Sequence, residues 1–301
     1  MNIIGKKNWY FLISILVIIP GIIFFILNFK QFGFGLNLGV DFIGGTKIGY
    51  QIPGKSEKDI IQVFKSQNVE IYTIQHSEDQ FIIRTKNLRP KTYQKIKQNI
   101  NQLSTNAKEL SYEEVGPIIG NETTINAVKA LAIASILIVL YITWSFRKVP
   151  RPASSLRFGI CAIIALIHDV LIVVGSFAIL GYFLKVEVDS LFVTALLTII
   201  GFSVHDTIVV FDRIRENLIK TGSGNFPHVV NESILQTFNR SLNTSLTVAL
   251  VLISLLLFGG ESIRWFIVAL LIGITAGTYS SIFNAAPLLV LWQELSKKRS
   301  P

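Results

Sequence analysis

Charge is scarce in this chain, and so is sulfur. Charged residues fill 16% of the 301 positions while half are apolar, and mean hydropathy is +0.53; an ordinary soluble domain carries roughly 25% charged residues. The single cysteine, Cys161, excludes an intrachain disulfide. Four scattered histidines and one cysteine make no metal-ligand cluster. No Walker motif and no nucleophile with an adjacent base occurs either, so the sequence points to no enzyme, no cofactor and no metal. No alanine precedes Ala107, which removes the small-residue cleavage signal of a secretory leader, so the first apolar run is expected to stay as an anchor.

What is present are runs long enough to cross a bilayer, which needs roughly 17–20 apolar residues. Three are free of charge: Lys7 to Lys30, Arg240 to Glu261, and Arg264 to Glu294. Three more carry internal polar groups: Thr123 to Phe146 with Lys129, Phe158 to Leu184 with His168 and Asp169, and Ser190 to Phe211 with His205 and Asp206. The expectation is a polytopic α-helical membrane protein with six transmembrane helices. Basic residues in short loops set orientation. Lys6, Lys7, Arg147, Lys148, Arg151, Arg157, Arg213, Arg215, Lys220, Lys297, Lys298 and Arg299 all fall on the side of the N-terminus, so both termini are expected in the cytoplasm. The net charge of +9 then reflects topology and contact with anionic lipid headgroups, since no nucleic-acid motif accompanies it.

One loop is long and polar. The expected division is residues 1–30 for the N-terminus and first helix, 31–121 for an extracytoplasmic connector and domain, 122–292 for helices two to six, and 293–301 for a cytoplasmic tail. Within 31–121, Lys47 to Gln51 alternates like a strand, and Ile60, Ile61 and Phe64 have helical spacing. Val69 to His76 and Gln80 to Thr85 flank the turn at Ser77-Glu78-Asp79. After Pro90, Ile96, Ile100 and Leu103 share a helix face, and Glu109 to Val115 closes the pattern as a strand. The order β-α-β-β-α-β predicts a small α+β domain of ferredoxin-like, split βαβ type.

The stretch from Gly201 to Asn217 places His205 and Asp206 inside an apolar helix and ends in Asp212, Arg213, Arg215, Glu216 and Asn217. An acid at the centre of a transmembrane helix costs about 2.5–3.5 kcal/mol on insertion scales, so it marks an ion path, a proton relay or a packed polar contact. Counting by three and four from Arg240 gives Gln236, Thr237, Asn243, Thr244 and Thr247, a polar stripe that should face another helix or a wet cavity rather than lipid. Asp206 lies about 16 residues, or ~24 Å, from the outer start of its helix. Arg240 enters the next helix from the opposite side, so the two depths suit an ion pair. Protonation of Asp206 would release that attraction and favour another packing of the two helices.

Three segments carry a family resemblance. Leu38-Gly39-Val40-Asp41-Phe42-Ile43-Gly44-Gly45-Thr46 resembles the glycine-rich signature of the SecF family, the smaller membrane subunits of the SecD/SecF accessory complex of bacterial protein secretion. The run His205 to Asn217 is similar to that family's fourth-helix motif, and Asn231 to Ser245 to the segment entering its fifth helix. The resemblance implies a subunit of the resistance-nodulation-division superfamily in the cell membrane. It would use the proton motive force to promote preprotein export after the SecA-driven stage. Its implied partners are SecD, the SecYEG channel, YajC and the unfolded preprotein. In the family the fourth-helix acid and a basic residue of the fifth belong to the proton path; these match Asp206 and Arg240. The family more often carries Asn where His205 stands, which leaves open whether His205 joins the relay or packs.

Plainer readings stand beside these. Asp206 and Arg240 could form a structural salt bridge in a non-conducting scaffold, and half of a small-molecule exporter is a further alternative, weakened by an outer domain of only about 90 residues. His168 and Asp169 are read as packing or interfacial, and Lys129 as reaching for the interface. Asp212, Arg213, Arg215 and Glu216 are read as a helix-end network. Of the extracytoplasmic signature Gly39, Asp41, Gly44, Gly45 and Thr46, Asp41 is read as capping or turning the connector and Gly44-Gly45 as a turn, with the connector glycines as hinges. Gly273, Gly277, Ser280, Ser281 and Asn284 form a small-residue face for close helix packing.

Overall fold

The computed structural model describes residues 2–77, 79–147, 154–221 and 225–298. Lys148, Arg151 and Arg299 of the expected basic face, and Glu78 of the expected turn, lie outside the described residues. After one 3-10 turn (Ile4–Lys6), the first apolar run forms α1 (Lys7–Phe32), closed by Gly33 at φ 77, whose N–H returns to the Phe29 carbonyl at 3.2 Å. Next come a short α2 (Val40–Ile43), β1 (Gly45–Gln51), α3 (Glu57–Ser66), β2 (Ile71–Ser77), β3 (Gln80–Thr85), α4 (Pro90–Leu103) and β4 (Lys108–Val115). The long helices α5 (Pro117–Ser145), α6 (Ser155–Leu184), α7 (Ser190–Thr221) and α8 (Phe226–Phe258) follow. The last is α9 (Glu261–Ser280), continued through a π-helical stretch (Ser281–Ala285) into α10 (Ala286–Lys298). Six of these helices are long and apolar enough to cross a membrane.

Two compact units result: residues 37–129 with 183–190, and residues 1–36, 130–182 and 191–301. The smaller unit has the expected split βαβ topology. Its sheet runs β2-β3-β1-β4 with every neighbouring pair antiparallel. The helical stripes point where their spacing says: Ile60 and Phe64 of α3 and Ile96 and Ile100 of α4 are fully buried against Ile48, Tyr50, Phe81 and Ile83 of the sheet. The Asp59 carboxylate takes the Ser56 N–H at 2.9 Å to start α3, and Pro90 sets the first turn of α4.

The larger unit is a bundle whose core gathers Phe146, Phe158, Phe211, Ile214, Ala285 and Val290. At the crossing of α1 and α6 a Cβ built on Gly21 would stand 2.6 Å from Gly175 Cα. The expected small-residue face of α9 packs on α7: a Cβ on Gly277 would meet Ser203 Cβ at 3.0 Å, and one on Gly273 would run into Ile199. One end of the bundle is tied by polar contacts. Lys7 pairs with Glu294 at 2.6 Å, Arg157 donates to Gln293 at 2.5 Å, and Asn231 accepts the Ile3 N–H at 2.9 Å. These contacts bring the starts of α1, α6 and α8 and the end of α10 together, as alternating crossings require.

Candidate functional site

Asp206 sits on α7 with only 3% of its surface exposed. Its hydrogen-bond partner is the Thr278 hydroxyl of α9 at 3.4 Å, a long contact. Thr278 also shares a short contact with Ser245 of α8, so one hydroxyl chain links three helices to the acid. Asp206 and Arg240 make no direct contact, although the charges of His205 and Arg240 act on the carboxylate across the gap. Asp206 points inward to α9, whereas Arg240 lies exposed on α8, about 100° round the helix from buried Ser241. His205, next to Asp206, is likewise exposed, one residue round from the buried face of α7. Depth arithmetic places two groups at one level, but the helix phase decides whether they meet.

The polar stripe on α8 is mostly uncovered by this chain. Gln236, Arg240, Asn243, Thr244 and Thr247 are exposed and only Thr237 is buried. A second exposed polar line runs along α7 through Thr194, Thr198, Gly201, His205 and Asp212.

The helix-end motif forms the expected network. Arg213 bonds Glu216 and Gln236, each at 2.6 Å; Arg215 pairs with Asp212 at 2.6 Å; Lys220 pairs with Glu216 at 2.6 Å. Asn217 donates to Ser233 and Gln236, both at 2.9 Å, which fastens the end of α7 to the start of α8.

The glycine signature has a more specific job than a bare turn. The Asp41 carboxylate accepts the Ser190 N–H at 2.9 Å, which caps the first turn of α7 rather than the connector itself. Gly39 donates to the Val188 carbonyl at 2.7 Å, and a Cβ there would crowd that oxygen at 3.1 Å, so a side chain would require the neighbouring backbone to give. Gly44 and Gly45 stand at φ 81 and φ 130, and a Cβ on Gly45 would collide with the Thr85 carbonyl at 2.6 Å. Thr46 accepts the Leu88 N–H at 3.1 Å. The segment ahead of α7 is held further by Arg84, whose guanidinium reaches the Leu38 carbonyl at 2.7 Å and Glu187 at 3.2 Å. Asn37 and Gln75 both donate to the Lys185 carbonyl at 3.0 Å, and Lys185 itself stands at φ 56.

His168 and Asp169, read from sequence as packing, have definite partners. Asp169 accepts from Ser203 and Ser280, the latter at 2.8 Å, and its other oxygen lies 2.8 Å from His168 Nδ1. The small residues of the last helix therefore serve two ends: Gly273 and Gly277 let α7 approach, while Ser280, Ser281 and Asn284 bond α6, α7 and α1. Among the described residues no group of three or more His, Cys, Asp or Glu side chains forms a metal site. Lys129 is exposed.

Residues 95–295 match the family "Protein export membrane protein SecD/SecF, C-terminal", and residues 31–51 match the SecD/SecF GG motif. The protein translocase subunit SecF of Thermobaculum terrenum is 46% identical over 97% of this chain and 94% of its own length. Bacillus subtilis SecDF is 35% identical over 98% of this chain but 38% of its own length. The crystal structure of SecDF from Thermus thermophilus, a translocon-associated membrane protein, matches at TM-score 0.85 and 31% identity, covering 98% of this chain and 39% of that one. This chain thus spans about two-fifths of the SecDF proteins it matches. Fold and site define a multi-pass membrane protein with a ferredoxin-like domain inserted after its first crossing and buried acids held by hydroxyls from neighbouring helices. The chain belongs to the SecD/SecF family of protein-export membrane proteins, as a member of its SecF branch.

Proposed function

We propose that this chain is the SecF subunit of a SecDF complex in the cytoplasmic membrane, with both termini in the cytoplasm. It uses the proton motive force to promote preprotein export after the SecA-driven stage. Asp206 takes up and releases the proton; Arg240 and His205 face the path from the partner side. The observation that carries this reading is a buried carboxylate whose hydrogen bond among the described residues is a long one to Thr278, on a helix whose neighbouring face is polar and exposed. Unpaired polar groups in hydrocarbon cost several kcal/mol, roughly, so the exposed lines on α7 and α8 call for a polar cover. SecD supplies it, in keeping with SecDF relatives in which a SecF-like segment is about two-fifths of one chain. SecYEG, YajC, the preprotein and surrounding lipid complete the assembly.

Coupling runs from Asp206 along α7 to Ser190. There Asp41 holds the helix start, and Gly39 and Arg84 hold the segment before it, so a shift of α7 is felt by the extracytoplasmic domain. Gly33, with open space around it, is the hinge of the connector.

The test is export in cells depleted of their own subunit and complemented with Asp206→Asn, with membrane abundance and SecD association followed alongside. Normal assembly with stalled export is the expected result. Normal export would leave Asp206 a structural group in a non-conducting scaffold.

A further inference from the structure

Asp169 stands at the middle of α6 and is wholly buried. Three donors surround it from three helices: His168 Nδ1 on α6 at 2.8 Å, the Ser203 hydroxyl on α7, and the Ser280 hydroxyl on α9 at 2.8 Å. Donors alone surround this carboxylate. The dyad's far side is equally built. His168 Nε2 lies 3.0 Å from Ser14 Oγ of α1, and Ser14 Oγ lies 2.8 Å from Asn284 Nδ2 and 3.2 Å from Asn284 Oδ1. Asn284 belongs to the π-helical stretch of the last helix, a geometry that often marks functional positions.

The titratable and charged groups facing the dyad are few. α9 presents Tyr279, whose ring centroid is 6.1 Å from that of His168. α1 presents Tyr10, whose backbone carbonyl takes the Tyr279 hydroxyl at 2.8 Å. α7 presents Asp206, one turn beyond Ser203 and turned to Thr278. Among the described residues no Lys or Arg bonds Asp169 or His168. A neutral imidazole beside ionised Asp169 therefore leaves one uncompensated negative charge inside the bundle, which a low-dielectric interior penalises. Uptake of one proton converts the pair to net neutrality.

We infer that His168 and Asp169 form a second proton-binding site, and that Ser14 passes its occupancy to Asn284. The Ser14 hydroxyl has one proton and three acceptors within reach: His168 Nε2, Asn284 Oδ1 and the Tyr279 hydroxyl oxygen, whose own proton goes to the Tyr10 carbonyl. With Nε2 bare, Ser14 donates to the imidazole and Asn284 Nδ2–H donates to Ser14. When a proton binds Nε2, the new N–H donates to Ser14, whose own proton turns to Asn284 Oδ1. Only a hydroxyl rotation is needed, and every contact stays within the observed distances. An apolar groove of about 520 Å³ between α1, α6 and α9 has both Ser14 and His168 in its lining. The last helix, which also carries Thr278 beside Asp206, thereby receives a signal from each acid. This inference does not rest on ion coupling at Asp206.

The test is nitrogen NMR of the full chain in lipid nanodiscs with ¹⁵N-labelled histidine and asparagine, the His168 signal assigned by its loss in His168→Gln. As pH falls from about 9 to about 5, Nε2 is expected to pass from bare to protonated, with the Asn284 side-chain amide following the same curve. Ser14→Ala is expected to uncouple Asn284 from that curve. Asp169→Asn should weaken proton affinity at His168 by about tenfold or more, whereas Asp206→Asn should leave it in place. An Nε2 that keeps one state across the range in the unmodified chain overturns the inference without recourse to any variant. So does a curve indifferent to Asp169→Asn. Neither outcome bears on whether Asp206 carries export.

Discussion

Arg84 Nη1 lies 3.2 Å from Glu187 Oε1, with the two side chains only 6% and 11% exposed. The contact joins β3 of the α+β domain to the segment that precedes α7. Thr73 donates to the same Glu187 oxygen at 2.7 Å, so the acceptor is fully engaged. Removing one partner of a buried pair strands the other charge, at about 3–5 kcal/mol. Arg84→Ala is therefore expected to loosen residues 183–190, read as faster amide exchange there in the full-length protein. Glu187→Gln, which keeps the acceptor for Thr73, should cost less. Equal protection in Arg84→Ala and the parent chain would mean that Gly39 and Asn37 suffice to hold the segment.

The closest backbone approach between α1 and α6 is equally open to test. Cβ atoms built on Gly21 and Gly175 would stand 2.6 Å and 2.8 Å from the opposite Cα, where neither helix has a flexible side chain to move aside. Overpacking a core by a few carbons costs about 1–3 kcal/mol, and a backbone obstacle belongs at the upper end or beyond. Gly21→Leu should lower the melting temperature of the purified subunit, whereas Gly201→Ala, with nothing within 4 Å of its Cβ position, should leave it unchanged. If Gly21→Leu melts with the parent chain, the crossing is not a tight one.

Much of this architecture was readable from residue order, for physical reasons that also explain the failures. Ile60 with Phe64 and Ile96 with Ile100 declare their helix faces because the sheet they cover buries one side only. Six apolar runs declare themselves through length. Hydroxyl residues inside those runs do not. Ser176, Thr198 and Thr275 spend their protons on the carbonyl four residues back, while Ser203 and Ser280 reach across to Asp169, and nothing local distinguishes the two behaviours. Asp206 and Arg240 fall short of direct contact for a related reason. Residue counting sets depth along a helix to about 1.5 Å per residue but sets azimuth only relative to neighbours not yet known. The hold of Asp41 on Ser190 bridges distant parts of the chain and left no local mark.

Acid should weaken the α+β domain through Glu109. Its carboxylate accepts the Tyr93 hydroxyl at 2.7 Å, the Lys97 ammonium at 3.0 Å and the Tyr50 hydroxyl at 3.3 Å. Burial works against the charged form, but the hydrogen bonds from Tyr93 and Lys97 outweigh it and hold the carboxyl below its usual range. Burial and the same contact push the Tyr93 phenol up to about 12. Because the folded state binds this proton less tightly than the unfolded chain, the stabilisation is complete above the ordinary glutamate value of about 4.3. It is lost as pH falls from there through the folded value. Amide exchange across β1, α4 and β4 should therefore accelerate below about pH 4.3, and Glu109→Gln should flatten that part of the pH dependence. An unchanged acid limb in Glu109→Gln would assign the loss to another carboxylate.

The uncovered face of α7 makes the sharpest demand on the proposed partner. Thr194, Thr198 and Gly201 are exposed at membrane depth, and Thr198 bonds its own helix at 2.8 Å through the Thr194 carbonyl, so it contributes nothing to the packing of this chain. Thr198→Trp should then leave the isolated subunit folded, with an unshifted melting curve, because no neighbour in the chain is displaced. If SecD packs on that face at ordinary interhelical distances of about 8–10 Å, an indole there holds the two apart and co-purification with SecD falls sharply. A tryptophan at Ile133 on α5, which is 58% exposed and apolar, serves as the comparison for a lipid-facing site and should co-purify normally. Co-purification of Thr198→Trp at the parent level would move the SecD contact elsewhere and leave the polar lines of α7 and α8 facing water instead of a subunit.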